Sequence, residues 1–505
     1  MGGGFERRWL SKPRRDITRH GWCVGLRKAA CTAMVGLGAC LFTCSTAFGA
    51  GLYIADRGVR PLGRGGAFVA GADDLGAIFY NPAGLVDAKR QVLFDVAVVP
   101  YTTSYTRVAK LKQVDPNTGR LTGQTWDRRF PTVDGTSPLL PIPTLAVSYD
   151  FGLDNAAFAL GLWAPYAAVA DYPATVKGQP NPGRYMLISL KGSAFVIPGI
   201  WGAYRVLPWL SVGAGFELLS GKYTSQGVMS ACLPDRWVCA PEDPEYDSFN
   251  RMDVGPVIAP SGNFGLTLTP HPRVRIGASF QLPFHVNAKS VSESRIPSAA
   301  VFQNAYQEGD RADVIMSFPW VARAGVQVDF DPVRAEFAVV TEGWSVHDEI
   351  KLIPHGIVLR NVFTLADDYR IMPQTIPRHF KDTWSFRLGG EMSLDVGGYA
   401  LDVRAGIMYE TSAVPKPYMS LLTIDANKVI PSIGAGFHLM EGLRFDAVLA
   451  RTFLPKVRVS SDEAKIQMPS SVLANESDPE MRDYVNGGLY KATATIIGLG
   501  LAYDY

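Results

Sequence analysis

Side chains that could perform acid–base or nucleophilic chemistry are present in this chain, but their spacing matches no catalytic motif. A hydrolytic site would bring together a Ser-His or Asp-His arrangement, and no Ser or Asp set near a histidine forms a recognisable one. His347 and His355 lie in a predicted long loop, where we expect both to be solvated. The sequence also contains no phosphate-binding loop, nucleotide fingerprint or cluster of metal ligands. It therefore predicts a protein that is not an enzyme and has no cofactor or metal.

Other ionisable residues alternate with apolar ones. In "YALDVRAGIMYE" (399–410), apolar side chains take every second position, with Asp402 and Arg404 between them. Period-two alternation is typical of a strand with two different faces. If the apolar faces meet lipid, the polar faces point into a lumen, where charged side chains would pair with each other or contact a ligand head group. The lumen-facing candidates are Arg275, Arg387, Glu391, Asp402 and Arg404.

These strands belong to a larger set, and we predict fourteen of them between residues 92 and 505. Six connections are tight turns: "GLDN", "LPW", "PHP", "FDP", "DVGG" and "MEG". They alternate without exception with longer, mostly polar connections, such as 102–141 and 221–253. All long loops would then emerge on one side, as in outer-membrane barrels. The predicted fold class is all-β, a 14-stranded antiparallel transmembrane β-barrel in the bacterial outer membrane.

The C-terminal residues "GLGLAYDY" agree with this prediction. Tyr503 and Tyr505 fall on one face of the last strand, and Tyr505 ends the chain. Outer-membrane barrels commonly end this way, with a closing strand that is read by the barrel-assembly machinery. Because hydrocarbon cannot satisfy unpaired backbone groups, the sheet must close on itself. We expect a monomer whose outer surface contacts outer-membrane lipid and lipopolysaccharide.

Residues 1–49 have the features of a secretory signal peptide. A basic pair at 27–28 precedes an apolar stretch, and Ala47-Phe48-Gly49 has the spacing of a cleavage site, which predicts cleavage after Gly49. The arginine pair at 7–8 lies far from the apolar stretch for a twin-arginine signal, and the residues before Cys44 make a poor lipoprotein motif. The segment holds eight of the 49 basic and two of the 47 acidic residues, so its removal changes the net charge from +2 to −4. No basic surplus remains for nucleic acid.

Two cysteines remain after the predicted cleavage. Cys232 and Cys239 lie in "ACLPDRWVCAPE", a polar stretch with two prolines. In an exported chain, two thiols at this spacing suggest a local loop disulfide. Two unpaired thiols are the alternative. A metal site would need further ligands nearby, and the sequence offers none.

Residues 50–91 precede the first strand and are rich in Gly and Ala, which suits short helices and tight turns. A barrel of fourteen strands encloses more space than its own side chains fill, since about eight strands already give a filled interior or one small ligand site. We therefore predict that residues 50–91 form a hatch inside a barrel of residues 92–505. Pro82 restricts Asn81 to an extended conformation, which makes a rigid corner. Asp73 and Asp74 are expected to be helix-start carboxylates.

The hatch sequence resembles a known family. "RPLGRGGAFVAGADDLGAIFYNPAGL" (60–85) is similar to the N-terminal hatch of the FadL/TodX family, outer-membrane transporters of long-chain fatty acids and other hydrophobic compounds. The matching positions include Asp73, Asp74 and above all the tripeptide Asn81, Pro82 and Ala83. Further similar segments are "GLWAPYAAVADY" (161–172), "GRY" (183–185), "EGWS" (342–345), "FKDTWSFRLGGE" (380–391) and "RAGIMYETSAVP" (404–415). The resemblance covers essentially the whole mature chain.

The resemblance also implies a transport route. In this family an inward kink of the third strand opens a gap in the wall, and a hydrophobic ligand leaves through it sideways into the membrane. The same is implied here, with Gly161 and Pro165 as the soft points. A proline within a barrel strand removes a ladder donor, which favours a bend. The alternative is that Pro165 only ends the strand at the external rim.

The predicted function is passive transport of long-chain fatty acids or other hydrophobic small molecules. First contact would be made by the external loops between strands 5 and 6 and between strands 7 and 8, followed by hatch movement and lateral release. A general diffusion porin is one alternative, although it would be expected to lack a forty-residue plug. A surface adhesin or receptor barrel that uses the long loops is another. The identity of the cargo stays open between a fatty acid, an aromatic hydrocarbon and a signalling lipid.

Overall fold

The structure is a computed structural model, and it describes residues 56–115, 117–118, 121–164, 170–231, 242–362, 368–469 and 483–505. The predicted signal peptide, Pro165, Cys232 and Cys239 lie outside these ranges. Within them, no helix has the length and apolarity needed to cross a membrane.

Fourteen antiparallel strands form a closed barrel, which confirms the predicted fold class. Each predicted strand has its counterpart. The strands are β1 (Gln91–Val98), β2 (Ile142–Tyr149), β3 (Ala156–Trp163), β4 (Ala194–Leu207), β5 (Leu210–Ser230), β6 (Asp247–His271), β7 (Val274–Gln281), β8 (Val321–Phe330), β9 (Val333–Glu342), β10 (Thr383–Val396), β11 (Tyr399–Glu410), β12 (Lys428–Met440), β13 (Leu443–Thr452) and β14 (Gly488–Asp504).

The last strand closes the sheet. β14 pairs with β13 on one side and with β1 on the other, where Gln91 lies opposite Asp504 and Val98 opposite Ile497. β1 then pairs with β2, and the ladder continues strand by strand around the barrel. Closure leaves no sheet edge in the hydrocarbon, as a membrane-spanning sheet requires.

Side chains alternate between the two sides of the barrel wall. In β10, the outward Leu388 is 57% exposed, whereas the preceding Arg387 is 1% exposed. The same contrast separates the outward Phe216 from the buried Glu217 in β5. The apolar belt therefore faces lipid, and the inward side chains are buried inside the barrel.

The segment before β1 fills the lower lumen. It contains helix α1 (Val59–Gly63), helix α2 (Ala77–Tyr80) and a 3₁₀ helix (Pro82–Asp87), and almost all of its side chains are buried. Helix α1 packs against β1 and β11–β14, whereas the 3₁₀ helix packs against β3–β6. The segment thus crosses the lumen from one wall to the other. We call residues 56–90 the hatch.

Two connections that the sequence predicts as long loops are largely strand. Residues 102–141 contain the hairpin Tyr101–Val114 and Leu121–Thr136. β5 and β6 pair as far as Asp247 and Ser230, which shortens the predicted loop 221–253 to 231–246. Outside the membrane both faces of a strand carry polar residues, so the alternation of apolar and polar positions is lost from the sequence. The backbone groups there still pair with their neighbours.

The remaining external elements are strands and 3₁₀ turns of the connections. Four strands continue the wall upward: Phe284–Arg295, Arg311–Phe318, Glu349–Pro354 and Gln374–Pro377. Small strands lie at Thr175–Val176, Gln179–Pro180, Tyr306–Glu308, Val358–Arg360, Tyr369–Arg370 and Val457–Val459, and 3₁₀ turns at Pro244–Tyr246, Ala300–Phe302, Trp344–Val346 and Lys416–Tyr418.

Candidate ligand pathway and hatch

A buried ion-pair network attaches the first half of the hatch, residues 56–74, to the barrel. The Arg60 guanidinium donates to both carboxylate oxygens of Glu391 in β10, at 3.0 and 2.9 Å. Its third nitrogen donates to Asp73 at 2.6 Å and to Asp74 at 3.0 Å. Arg60 and Glu391 are both almost fully buried. A bidentate guanidinium–carboxylate pair fixes orientation as well as distance.

The network extends into neighbouring strands. Arg404 in β11 contacts Glu391 and donates to Asp446 at 2.6 Å and to Asp402 at 3.0 Å. The two aspartates of the hatch have further partners, since Arg334 lies 2.6 Å from Asp73 and Arg444 lies 3.0 Å from Asp74. Every one of these charges therefore has an opposite charge beside it, as buried ions require.

These contacts hold the hatch charges in their ionised forms. Burial by itself would raise the pKa of Asp73, but Arg60 and Arg334 hold that pKa well below its usual range. Burial also opposes the charge of Arg60, yet the neighbouring carboxylates Asp73 and Glu391 keep its pKa above the ordinary value. The sequence reading of Asp73 and Asp74 as helix-start carboxylates captures only a minor contact, the 2.8 Å bond from Gly76 N to Asp74 Oδ1.

A second carboxylate receives the hatch backbone. Glu336 in β9 accepts hydrogen bonds from the amides of Val69, Ala70 and Gly71, at 2.6, 2.9 and 2.9 Å. It also accepts from Arg64 at 3.3 Å. A turn leaves these three consecutive amides without backbone partners, and the Glu336 carboxylate accepts their hydrogen bonds instead.

The second half of the hatch, residues 75–90, is attached mainly by neutral groups. The Asn81 amide donates to Val69 O at 2.9 Å, Leu266 O at 3.1 Å and Thr267 Oγ1 at 3.0 Å. Its Oδ1 accepts from Ala83 N at 3.2 Å, which caps the 3₁₀ helix that Pro82 begins. Asn81 has the extended backbone that the following proline favours, with φ of −164°.

The barrel makes room for this corner. A Cβ on Gly265 of β6 would lie 2.1 Å from Asn81 Oδ1, and one on Gly213 of β5 would lie 2.4 Å from the Pro82 carbonyl carbon. Any side chain at either position would push the hatch away. Inward-facing glycines in otherwise regular strands are a signal that the sequence reading did not use.

Ionic contacts in the second half lie at its end. Asp87 is 2.5 Å from Arg205 of β4 and 2.9 Å from Arg275 of β7. The Asp87 side chain is 27% exposed, so these pairs are better hydrated than those of Arg60. Arg275 therefore contacts the hatch. Arg387 does so through Asp56, and Glu391 through Arg60. Asp402 and Arg404 lie in the same network one step further from it.

The apolar residues of the second half face β3 and β4. Phe79 packs edge to face on Trp163, the last residue of β3, with 5.0 Å between ring centroids. A Cβ on Gly161 would lie 3.0 Å from Ile78 Cδ1, so this glycine faces the hatch. Ile197 and Trp201 of β4 belong to the same buried cluster. The hatch thus covers the inner side of the predicted lateral opening with hydrocarbon.

Backbone pairing of the described residues changes after the end of β3. Ala164 N bonds to Pro143 O at 3.1 Å, and from residue 170 onward there are isolated bridges: Thr136 with Asp171, Asp171 with Ser189, and Ser189 with Gln226. Beside the end of β3, the β4–β5 pairing omits Ile197 and Pro198. Pro198 provides no amide hydrogen to that ladder. The sequence reading missed it, although a proline inside a predicted strand is a visible signal.

The lumen above the hatch is lined by apolar and aromatic side chains. Its buried residues include Tyr101, Leu187, Trp344, Phe380, Met419 and Leu421. His347 is buried among them, and its Nδ1 lies 2.8 Å from Ser317 O, so the expectation that it is solvated was wrong. The cause is local: Trp344, Phe318 and Phe380 surround its ring. His355 is exposed and lies 2.9 Å from Asp313.

Arg378 enters this apolar lumen from the loop before β10. Only 5% of the residue is exposed, its Nη2 donates to Thr423 Oγ1 at 3.1 Å, and its guanidinium lies 4.9 Å from the centre of the Phe380 ring. No carboxylate pairs with it among the residues that the structure describes. Burial lowers the pKa of Arg378 to about 10 and that of His347 to about 3. Near neutral pH the arginine therefore keeps its charge and the histidine stays neutral.

An apolar cavity opens on the external side between the extensions of β5 to β10. Its cavity volume is about 50 Å³, and it opens to solvent. The lining includes Met229, Ile296, Phe302, Leu352, Ile357 and Leu359. It lies at the connections between β5 and β6 and between β7 and β8, where first contact with cargo is predicted, and the β9–β10 connection completes it.

The family model for the outer membrane protein transport proteins (OMPP1/FadL/TodX) matches residues 40–505. The chain belongs to this family. It is therefore an outer-membrane transporter of hydrophobic compounds and not an enzyme, as the sequence predicts. No curated protein matches the sequence significantly.

Solved structures show the FadL/TodX fold at low identity. A FadL homologue of Pseudomonas aeruginosa has a TM-score of 0.66 and 17% identity, covering 90% of this chain and 100% of that one. The toluene transporter TodX of Pseudomonas putida has a TM-score of 0.56 and 13% identity, covering 89% and 99%. The toluene transporter TbuX of Ralstonia pickettii has a TM-score of 0.53 and 14% identity, covering 89% and 98%. At this identity the structures support the shared fold and leave the cargo open.

Proposed function

We propose that this FadL/TodX transporter carries long-chain fatty acids. The observation that carries the proposal is Arg378, a buried cation without a carboxylate partner among the described residues, in a lumen lined by hydrocarbon. An unpaired buried charge is unfavourable. A cargo with one carboxylate and a long alkyl chain would supply the missing partner and fill the apolar lumen at the same time.

The proposed route begins at the external cavity. The alkyl chain would first leave water there, next to Phe302 and Leu359. It would then pass into the upper lumen, where Arg378 and Thr423 hold its carboxylate. No energy source is needed, because the cargo moves down its own gradient.

The last steps of the proposed route involve the hatch and β3. The hatch, residues 56–90 of the predicted segment 50–91, closes the lower lumen, and the part around Asn81, Pro82 and Ala83 shifts when cargo arrives. The cargo then leaves sideways between β3 and β4, beyond Trp163, the last residue of β3 that pairs with β4. Gly161 and Pro165 remain the proposed soft points of the opening, with Pro165 outside the described residues. Cleavage after Gly49, a Cys232–Cys239 disulfide, lipopolysaccharide contact, a monomeric state and assembly by the barrel-assembly machinery likewise stay predictions.

Aromatic hydrocarbons are the second candidate cargo, because two of the similar structures are described as toluene transporters. Such molecules would suit the same apolar lumen, but they would leave Arg378 unpaired. A general diffusion porin is less compatible with the structure, since the hatch fills the lower lumen and the upper lumen is apolar.

The test is uptake of labelled palmitate by cells that lack their own transporter. Cells producing this protein should take up palmitate, and Arg378→Gln should reduce uptake by about tenfold or more, because a buried ion pair loses its cation. Arg378→Lys should retain part of the activity. Arg128→Gln is the matched control, since Arg128 is an exposed arginine of the external hairpin.

Surface amounts must be equal, as shown by heat-modifiable mobility of the barrel on gels. A folded barrel without palmitate uptake would exclude fatty acids, and toluene uptake in the same cells would then support the second candidate. Equal palmitate uptake by the wild type and Arg378→Gln would show that Arg378 does not hold the carboxylate.

A further inference from the structure

A second polar group is buried at the inner side of the lateral opening. Glu217 of β5 is fully buried and lies opposite Gly199 of β4, next to Pro198. One of its oxygens accepts from Gln281 Nε2 at 2.7 Å. The other oxygen, Oε1, has no hydrogen-bond partner. A buried polar atom without a partner is unusual and calls for a physical reason.

Two unpaired donors lie beside this oxygen. The indole N–H groups of Trp163 and Trp201 both interact with the Glu217 carboxyl, yet neither makes a hydrogen bond of normal geometry. Both indoles are nearly fully buried. Three polar atoms from β3, β4 and β5 thus lie close together, and none of the three makes a hydrogen bond of normal geometry.

The position of these atoms relates them to the proposed route. Trp163 is the last residue of β3 and packs on Phe79 of the hatch. Trp201 and the inner wall of β4 form part of the same buried cluster. Arg323 lies 4.5 Å from the centre of the Phe79 ring and interacts electrostatically with Glu217. Cargo that leaves between β3 and β4 would pass these three groups immediately before it enters lipid.

We propose that Glu217, Trp163 and Trp201 form an exit site that binds an uncharged, hydroxyl-bearing head group. A hydroxyl donates one hydrogen bond and accepts others, so it can satisfy Glu217 Oε1 and an indole N–H together. An ionised carboxylate only accepts, so it could pair with the indole N–H groups but could not donate to Glu217 Oε1. The head groups that fit are an alcohol and the protonated form of a carboxylic acid.

The chemistry of release points the same way. An ion is far more costly to transfer into hydrocarbon than a neutral polar group. A fatty acid that leaves in its protonated form avoids this cost, and the exit site selects that form. The inference rests on the proposed route past β3, but it does not require the natural cargo to be a fatty acid.

The experiment compares labelled hexadecanol with labelled hexadecane, which has the same chain and no head group. Uptake is measured in cells producing the wild type, Glu217→Leu or Trp201→Phe at equal surface amounts. Each variant should lower hexadecanol uptake by about threefold to tenfold, the effect of one lost hydrogen bond, and leave hexadecane uptake unchanged. Glu217→Gln keeps an acceptor oxygen and should retain part of the hexadecanol uptake.

The variants are chosen so that loss of folding does not imitate loss of the site. Glu217→Leu removes the unpaired oxygen and the acceptor of Gln281 Nε2, which keeps its bonds to Ser261 Oγ and Gly262 O. Trp201→Phe keeps an aromatic ring. Glu441→Leu and Trp209→Phe make the same changes at exposed positions in turns, and neither should alter uptake of either compound. Equal loss of hexadecanol and hexadecane uptake would refute the site, and so would no loss of either.

Failure of the proposed function gives a different result. If wild-type cells take up neither compound, the route itself is wrong. Binding of hexadecanol to the purified full-length protein in lipid nanodiscs then decides the exit site alone. Weaker binding by Glu217→Leu than by the wild type would support it, and equal binding by the two would refute it.

Discussion

The two halves of the hatch are attached to the barrel by different kinds of contact. Residues 56–74 depend on buried charges, with Arg60 on Glu391, Asp73 on Arg334 and the 69–71 amides on Glu336. Residues 75–90 depend on the neutral hydrogen bonds of Asn81 and on apolar packing of Phe79. Their ion pairs lie at the C-terminal end, where Asp87 pairs with Arg205 and Arg275 and the exposed Arg90 pairs with Asp150.

From this difference we predict which half of the hatch moves during transport. A buried ion pair cannot be separated without leaving uncompensated charge, which costs several kcal/mol. Apolar contacts have no preferred direction, so the alkyl chain of a cargo can replace the ones that Phe79 makes. We therefore expect residues 56–74 to stay in place during transport while residues 75–90 shift. The second half is also the one that lies against β3 and β4.

The largest expected effect comes from removing Glu391. Glu391→Ala leaves Arg60 and Arg404 without a shared carboxylate, and this should destabilise docking of the first half by about 3–5 kcal/mol. The measurement is ion conductance of the purified protein in planar bilayers, which should rise from near silence to frequent opening. Arg205→Ala is the control, because its pair with Asp87 is partly exposed and should contribute at most about 1 kcal/mol. If Arg205→Ala opened the barrel as readily as Glu391→Ala, the contrast between the halves would be wrong.

Acid should loosen the first half selectively. The pKa of Asp73 is lower in the folded hatch than in an unfolded chain, so its contribution is complete above the unfolded value of about 4 and is lost as the pH falls below it. Amide exchange of residues 56–74, corrected for the intrinsic rate, should rise by almost tenfold between pH 5 and pH 3, because pH 3 lies about one unit below the unfolded pKa and each such unit removes a factor of ten in stability. Residues 75–90 should change much less. In Asp73→Asn the rise in amide exchange between pH 5 and pH 3 should be smaller. If the rise is unchanged, carboxylates other than Asp73 cause it.

The fold could be predicted because local sequence patterns specify the barrel strands and turns. Alternation in "YALDVRAGIMYE", the tight turns and the Asn81-Pro82 corner each depend on a few neighbouring residues. The ion pairs could not be predicted, because Arg60 and Glu391 are 331 residues apart and only closure of the barrel brings them together. His347 was misplaced because its burial also needs folding of its own connection, which brings Trp344 and Phe380 to its ring, and a contact from Phe318 of the β7–β8 connection.

The glycines and Pro198 are a different case, because their signal was local and was not used. An inward glycine such as Gly265 looks like a weakness in a strand until the partner that needs the space is known.

A smaller effect is expected from Asn81→Ala, which tests the second half directly. The variant removes three donated hydrogen bonds and the cap of the 3₁₀ helix, and we expect a loss of about 1–3 kcal/mol, because the carbonyls of Val69 and Leu266 lose a buried donor. Amide exchange should increase in residues 75–90, whereas the ion pairs of Arg60 should keep most of residues 56–74 protected. Asn427→Ala is the matched control, since Asn427 is an exposed residue of an external connection. Equal deprotection of both halves in Asn81→Ala would mean that the hatch opens as one unit, and the cargo would then have to displace the ion pairs as well.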